Sequence, residues 1–276
     1  MRSFTQSFLI LSCLILAACS ASEKRPEELT EREYYEQARE AMDDNNFLIA
    51  SERLQQLESR YPFGQYAEQA QLELIYTQHM MADMESALAS AERFIRLHPL
   101  HDQVDYAYYM RGLSVYELGF SFVERYTPSE QARRDPTPFR DAFNHFDEQI
   151  RRYPDSQYNE DAQKRMIFLR DRLAQYEIGV GRFYMKRHAY LAAAQRGERV
   201  MLNYQGTSVV DDALALQVEA YALLKQDFES QQALALLKAN YPDHEQLDEE
   251  GNFVASGLTK EDRRTLIGVM SFGLIE

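Results

Sequence analysis

The stretch Phe47 to Pro62, FLIASERLQQLESRYP, carries the pattern that organises this chain. Counting back from Tyr61, apolar or small residues stand at Leu57, Leu54, Ala50 and Phe47, offsets of 4, 7, 11 and 14 that trace one face of an α-helix. Pro62 has no N–H and cannot continue that helix, so Tyr61-Pro62 marks its end. The pair recurs as His98-Pro99, Tyr153-Pro154 and Tyr241-Pro242, with Tyr204-Gln205 as a degenerate copy. The same columns precede each copy. Eleven residues back stand Ala50, Ala87, Ala142, Ala193 and Ser230; seven back, Leu54, Ala91, Phe146, Gly197 and Leu234. Four back are Leu57, Phe94, Gln149, Val200 and Leu237; fourteen back, Phe47, Met84, Phe139, Tyr190 and Asp227, the last beside Phe228. A further small-residue column, Ala70, Ala107, Ala162 and Ala213, lies eight residues after the first three prolines and after Gln205. Small side chains at fixed places on successive helices let their backbones approach closely.

The spacing is 37 residues from Pro62 to Pro99 and again from Gln205 to Pro242. Helix-turn-helix units near this length, with small-residue columns and a terminal proline, resemble tetratricopeptide repeats. The expected fold is therefore all-α, a solenoid of about five such units over residues 31–242. Two intervals are longer. Pro99 to Pro154 spans 55 residues, and the excess fits a loop from Gly119 to Pro136 inside the third unit. Pro154 to Gln205 spans 51, and with no breaker from Asn159 to Ile178 the excess reads as one long helix running to Lys186. Gly179 and Gly181 are its expected kink points. Thr30 followed by Glu33 is a capping box for a first helix, Glu31 to Asp43. After Pro242 the pattern fades into a C-terminal extension, 243–276, with a last helix from Lys260 to Ser271 expected to cap the array.

The N-terminus decides location. Met1 to Ala18 has one early charge, Arg2, and an apolar core from Phe8 to Leu16, the layout of a secretory signal too short to span a bilayer. Leu16-Ala17-Ala18-Cys19 is a lipobox, so Cys19 is the expected lipidation site, carrying a diacylglycerol and an N-acyl (palmitate) chain. Three acyl chains anchor a protein firmly, since each buried CH₂ contributes ~0.8 kcal/mol. Ser20, rather than Asp, points to the outer membrane. Residues 19–30 then form a polar, flexible tether. Cys13 leaves with the signal, so packing without disulfides must hold the fold.

The formal charge of −14 excludes a nucleic-acid partner, whose binding depends on Lys and Arg. Peptide partners should carry some positive charge. No phosphate-binding, dinucleotide, zinc-protease or nucleophile-elbow motif is present, and His98 and His101 are the sole neighbouring histidines. The chain reads as a binding protein: no enzyme, no metal site, and no cofactor beyond the lipid on Cys19. Surface candidates outside the repeat columns are Phe63-Gly64-Gln65-Tyr66, Tyr106, Tyr108, Tyr109, Arg111 and the 119–136 loop. The competing role for the tyrosines is packing between neighbouring units.

Tyr61-Pro62-Phe63-Gly64, Arg93-Phe94-Ile95-Arg96-Leu97, Tyr109-Met110-Arg111-Gly112-Leu113, Arg134-Asp135-Pro136 and Ala142-Phe143-Asn144 are similar to segments of the BamD family, the tetratricopeptide lipoproteins of the outer-membrane β-barrel assembly (BAM) machine. So are Tyr153-Pro154-Asp155-Ser156-Gln157-Tyr158 and Asp171-Arg172-Leu173-Ala174. The resemblance covers roughly residues 30 to 242. It implies N-terminal units over 31–154 and C-terminal units over 155–242, held on the periplasmic face of the outer membrane. It further implies docking of the C-terminal units to a POTRA domain of BamA, with Arg196 and Glu198 as partner-binding residues and Arg196 as the ion-pairing one. Other BAM lipoproteins would be partners. The N-terminal units would receive the aromatic-ended C-terminal signal of unfolded β-barrel proteins near Phe63, Tyr66, Tyr109 and Arg111. A periplasmic adaptor of the cell-wall or division machinery is the alternative that the repeats alone allow. The tail 243–276, and Gln205 where a proline is usual, depart from the enterobacterial pattern.

Overall fold

The computed structural model describes residues 29–120 and 135–258. The signal segment, Cys19, the tether up to residue 28, the body of the interior loop and the expected helix at 260–271 lie outside the described residues. Thr30 opens the first helix as a capping box: its hydroxyl accepts the Glu33 N–H at 3.3 Å, while the Glu33 carboxylate accepts the Thr30 N–H at 2.7 Å.

Among the described residues there are ten helices: α1 Glu31–Asp43, α2 Phe47–Arg60, α3 Ala67–Met80, α4 Met84–Leu97, α5 Val104–Leu118, α6 Thr137–Arg152, α7 Asn159–Lys186, α8 Tyr190–Asn203, α9 Val210–Leu223 and α10 Asp227–Asn240. The even-numbered helices end at the aromatic-proline stops. Tyr61, His98, Tyr153, Tyr204 and Tyr241 are their C-caps, each donating its N–H four residues back. Tyr204 does so with Gln205 behind it, so the aromatic cap sets the stop and the proline reinforces it. The small-residue column is the centre of the packing. Ala50, Ala87, Ala142 and Ala193 are fully buried, as are Ala107, Ala162 and Ala213 on the odd-numbered helices. The outermost column fails once: Asp227 is exposed and its neighbour Phe228 is 68% exposed.

Packing divides the chain into two compact units, Met1–Glu73 and Leu74–Glu276. In the first, α1 packs on α2, with Tyr34, Ala38 and Ala41 facing inwards from α1. In the second, α4 to α10 each pack on the next in chain order, and the 28-residue α7 also reaches α9. The first excess falls between α5, which ends at Leu118, and α6, which begins at Thr137, with residues 121–134 outside the described residues; the second is α7, one unbroken helix. Gly181 does not interrupt it. A Cβ there would collide with Leu216 of α9, so this glycine serves a helix crossing. Gly197 does likewise, since its Cβ would stand 2.7 Å from the Ala213 carbonyl oxygen.

Two kinds of turn join the helices. Inside four pairs the turn carries one left-handed residue: Asn45 (φ 57°), Ala82 (59°), His188 (57°) and Lys225 (59°). The next N–H reaches back to close the helix end, Asn46 to Ala41 at 2.7 Å and Gln226 to Tyr221 at 2.9 Å. Between pairs, two successive turns follow the aromatic cap: Gly64 N–H to Tyr61, then Ala67 N–H to Gly64. His101 and Val104 repeat this, as do Ser156 and Asn159.

The same double turn follows Tyr241, through His244 and Leu247, as though a sixth unit were starting. Asp248 to Asn252 then reverse the chain instead. Leu247 bridges Phe253 antiparallel, and both pack on Leu214, Ala215 and Leu237. Leu258 joins the larger core cluster, and the Ser256 N–H donates to the buried Glu219 at 3.1 Å. Residues 244–258 thus cover Leu214, Ala215 and Leu237 at the end of the second unit; the segment 260–271, expected from the sequence to cap the array, lies outside the described residues.

Two substitutions test this architecture. Ala142→Leu should overpack a fully buried helix crossing and lower stability by about 1–3 kcal/mol in thermal or denaturant unfolding. Lys225→Gly should relieve a left-handed side-chain backbone and raise stability by up to ~1 kcal/mol, with unchanged helical circular dichroism.

Candidate binding grooves

On α1, residues spaced by three and four form two parallel rows, Arg32-Glu36-Glu40-Asp44 and Tyr35-Arg39-Asp43. Both face away from the buried Tyr34, Ala38 and Ala41. Together with Tyr66 they line an open groove of about 470 Å³ in the first unit. Its floor is aromatic: the Tyr35 and Tyr66 rings stack with centroids 4.6 Å apart at 17°. Tyr66 is held through its backbone, whose N–H donates to Glu31 at 2.6 Å.

Beneath the groove lies Glu73, only 7% exposed. Its Oε1 accepts from the Tyr35 hydroxyl at 2.8 Å, Arg39 at 3.1 Å and Gln69 at 3.0 Å. Its Oε2 is buried with no hydrogen-bond partner among the described residues. Burial, then the bond to Glu73, push the Tyr35 phenol up to about 12. Phe63, in the same connector as Tyr66, stands 99% exposed. This connector is tied to the start of the first helix, because the Tyr61 hydroxyl donates to the Leu29 carbonyl at 3.0 Å. Tyr35, Arg39 and Glu73 are groove residues that the repeat columns did not single out. Glu73, a carboxylate three residues after the buried Ala70, was the available signal.

Tyr109 and Arg111 belong to the second unit and are committed internally. The Tyr109 ring stacks on Tyr158 at 4.9 Å, and its hydroxyl donates to Asp161 at 2.6 Å. Burial and that bond push it up to about 12. Arg111 donates to Glu148 at 2.7 Å and lies over the Tyr108 ring at 4.7 Å. For these two, packing between helices is the role the geometry describes. Arg196 donates to Glu177 of α7 at 2.7 Å and lies 5.7 Å from the Tyr184 ring centroid. Glu177 is 3% exposed and also has Arg199 at 3.5 Å. Glu198, two residues on, is exposed on another side of α8. His98 and His101 pack against Phe94, and among the described residues no three His, Cys, Asp or Glu side chains cluster as metal ligands. No described helix is long and apolar enough to cross a membrane.

The fold is a helical-repeat scaffold whose first unit carries an open, aromatic-floored groove. The family model described as YfiO, outer membrane lipoprotein, matches residues 27–237, and the chain belongs to this family. It is 38% identical over 215 residues to the outer membrane protein assembly factor BamD of Vibrio cholerae, covering 78% of this chain and 89% of that protein. It is 37% identical over 208 residues to BamD of Neisseria gonorrhoeae, covering 75% and 78%. With BamD of Xylella fastidiosa it shares 32% over 240 residues, 86% and 82% of the two chains. A tetratricopeptide repeat protein from Parabacteroides merdae superposes with a TM-score of 0.35 at 14% identity, over 77% of this chain and 67% of its own.

Tyr109 makes a pH prediction. Its folded-state value is raised above the unfolded one, so its contribution to stability is complete below about pH 10 and is lost as pH rises towards 12. The melting temperature should fall over that window. Tyr109→Phe should flatten the fall, measured by circular dichroism at stepped alkaline pH.

Proposed function

We propose that this chain is a non-enzymatic scaffold of the β-barrel assembly machinery, aiding insertion of β-barrel proteins into the outer membrane. The observation that carries the reading is the match of residues 27–237 to a family of outer membrane lipoproteins, with assembly-factor relatives aligned over most of their length. Cys19 holds the protein by its lipid to the periplasmic face. That tether confines the binding surfaces to the layer where the BamA POTRA domains lie, which raises effective concentration without any new contact. The C-terminal units dock a POTRA domain through Arg196 and Glu198, with other BAM lipoproteins alongside. The first unit takes the aromatic-ended C-terminal signals of unfolded barrel proteins at Phe63 and Tyr66, beside the Tyr35 stack. A rigid helical groove suits this task because only the incoming strand must be ordered.

The Glu177 pairing decides how docking is tested. Arg196→Glu would set two carboxylates together in a nearly closed site and unfold the helix pair for reasons unrelated to docking. The double substitution Glu177→Gln with Arg196→Gln removes both charges and keeps a neutral hydrogen-bonding pair. It should retain helical circular dichroism and lose co-purification with the POTRA domains in a crosslinked pull-down from native membranes. Cys19→Ala should abolish palmitate labelling and membrane retention. Unchanged co-purification would remove Arg196 from the interface, and undiminished labelling would end the lipid-anchor reading.

A further inference from the structure

The charges along the α1 groove are unequally shared between its ends. Arg32 pairs with Glu36 at 2.6 Å, and Arg39 is drawn down onto Glu73. Both cations of the groove are therefore used near its aromatic half. Glu40 and Asp44 meet no cation among the described residues, and Asp43 has only the longer-range field of Arg39. The lining sums to two Arg against Glu36, Glu40, Asp43 and Asp44, with Glu73 beneath as a further carboxylate.

Stability gives no reason for this arrangement. A helix C-terminus carries the negative end of the backbone dipole and favours Lys or Arg. Helices α2, α4, α6, α7 and α10 have Arg or Lys in their last turns; α1, α5, α8 and α9 have none, and α1 in addition ends on Asp43 with Asp44 as its cap. Carboxylates there oppose the dipole and repel one another. The second observation lies under the groove: Glu73 is buried, its Oε1 takes three donors, two of them from the lining residues Tyr35 and Arg39, and its Oε2 takes none. The donors of this unit do not neutralise its acidity.

We propose that the α1 groove selects a peptide carrying a Lys or Arg about four residues from an aromatic side chain, the ring seated on Tyr35 and Tyr66 and the cation at Glu40, Asp43 and Asp44. The spacing follows from the geometry. Tyr35 and Asp43 are eight residues apart on one helix, which at ~1.5 Å per residue is about 12 Å. An extended peptide covers that distance in roughly four residues at ~3.3 Å each. The same charges disfavour a free terminal carboxylate in the acidic half. This rests on the reading of the first unit as the receiver of substrate signals and adds what that unit discriminates.

The test uses the full mature lipoprotein in detergent and two fluorescein-labelled decapeptides. One carries Phe and Arg four residues apart; in the other, Glu replaces Arg. Fluorescence anisotropy should show the Arg peptide binding about tenfold more tightly at low salt, ~1.4 kcal/mol. The preference should shrink as salt shortens the Debye length below ~10 Å. Glu40→Gln with Asp43→Asn should bring the two peptides within about twofold of each other, with a melting temperature equal to or above that of the wild type. Tyr66→Ala should weaken both peptides alike. Equal wild-type affinities, still lost in Tyr66→Ala, would overturn the charge selection and leave the aromatic groove standing. Binding of both peptides that is untouched by Tyr66→Ala, or no binding of either, would overturn the groove as the receiving site itself.

Discussion

The closeness of the helix crossings governs everything else in this molecule. At Ala50, Ala87, Ala142 and Ala193 the packed face of an even-numbered helix presents a methyl group and nothing larger. Ala107, Ala162 and Ala213 do the same on odd-numbered helices, and Gly181 and Gly197 go one carbon further. Small contact residues set short interaxial distances. Close backbones bring larger residues such as Leu57, Phe94, Val200 and Leu237 into full burial on the same stripe, one turn before each aromatic cap. Those side chains supply the apolar area, roughly 1.5–3 kcal/mol for each Leu, Val or Phe taken from water. The small residues make that burial geometrically available and contribute little area themselves.

This division of labour explains what could be read from the chain alone. Periodic columns report which side chains face inwards, so helix ends, the insertion between α5 and α6 and the 28-residue α7 follow directly from spacing. The turns inside the pairs do not. They need one left-handed residue each, and here Asn45, Ala82, His188 and Lys225 take that position with no glycine to mark it. Tertiary packing of two long helices outweighs a local cost of ~1–2 kcal/mol. The cap at 244–258 was equally hidden, because a reversed chain with a single bridge has no period. Of the expected groove residues, Phe63 and Tyr66 stood out as aromatics in a connector. Their partner Tyr35 did not, since a tyrosine on an amphipathic helix gives no sign of which side of the apolar stripe it occupies.

Tyr109 and Arg111 show the converse limit. Exposed and internal tyrosines look alike in sequence, and only the Asp161 bond and the Tyr158 stack separate them. Phe63, by contrast, stands in water although its neighbours in the connector are tied down. An apolar ring held out on a short, hydrogen-bonded turn loses little conformational freedom when a partner covers it, which is the condition under which exposed area converts efficiently into affinity.

The buried carboxylates complete the logic. Glu73, Glu177 and Glu219 sit on α3, α7 and α9, all odd-numbered helices, and each bonds to a different piece of chain. Glu73 takes Tyr35 and Arg39 from α1, Glu177 takes Arg196 from α8, and Glu219 takes the Ser256 N–H of the cap. Desolvating a charge offsets most of what its pairing returns, so such groups are poor sources of net stability. Mispairing them is what costs, because an unmatched buried carboxylate loses several kcal/mol of solvation. A carboxylate whose cross-element donors lie on one neighbour alone would lose them against any other. The columns hold the array together, and each of the three glutamates ties its helix to one particular segment: α1, α8 and the 244–258 cap.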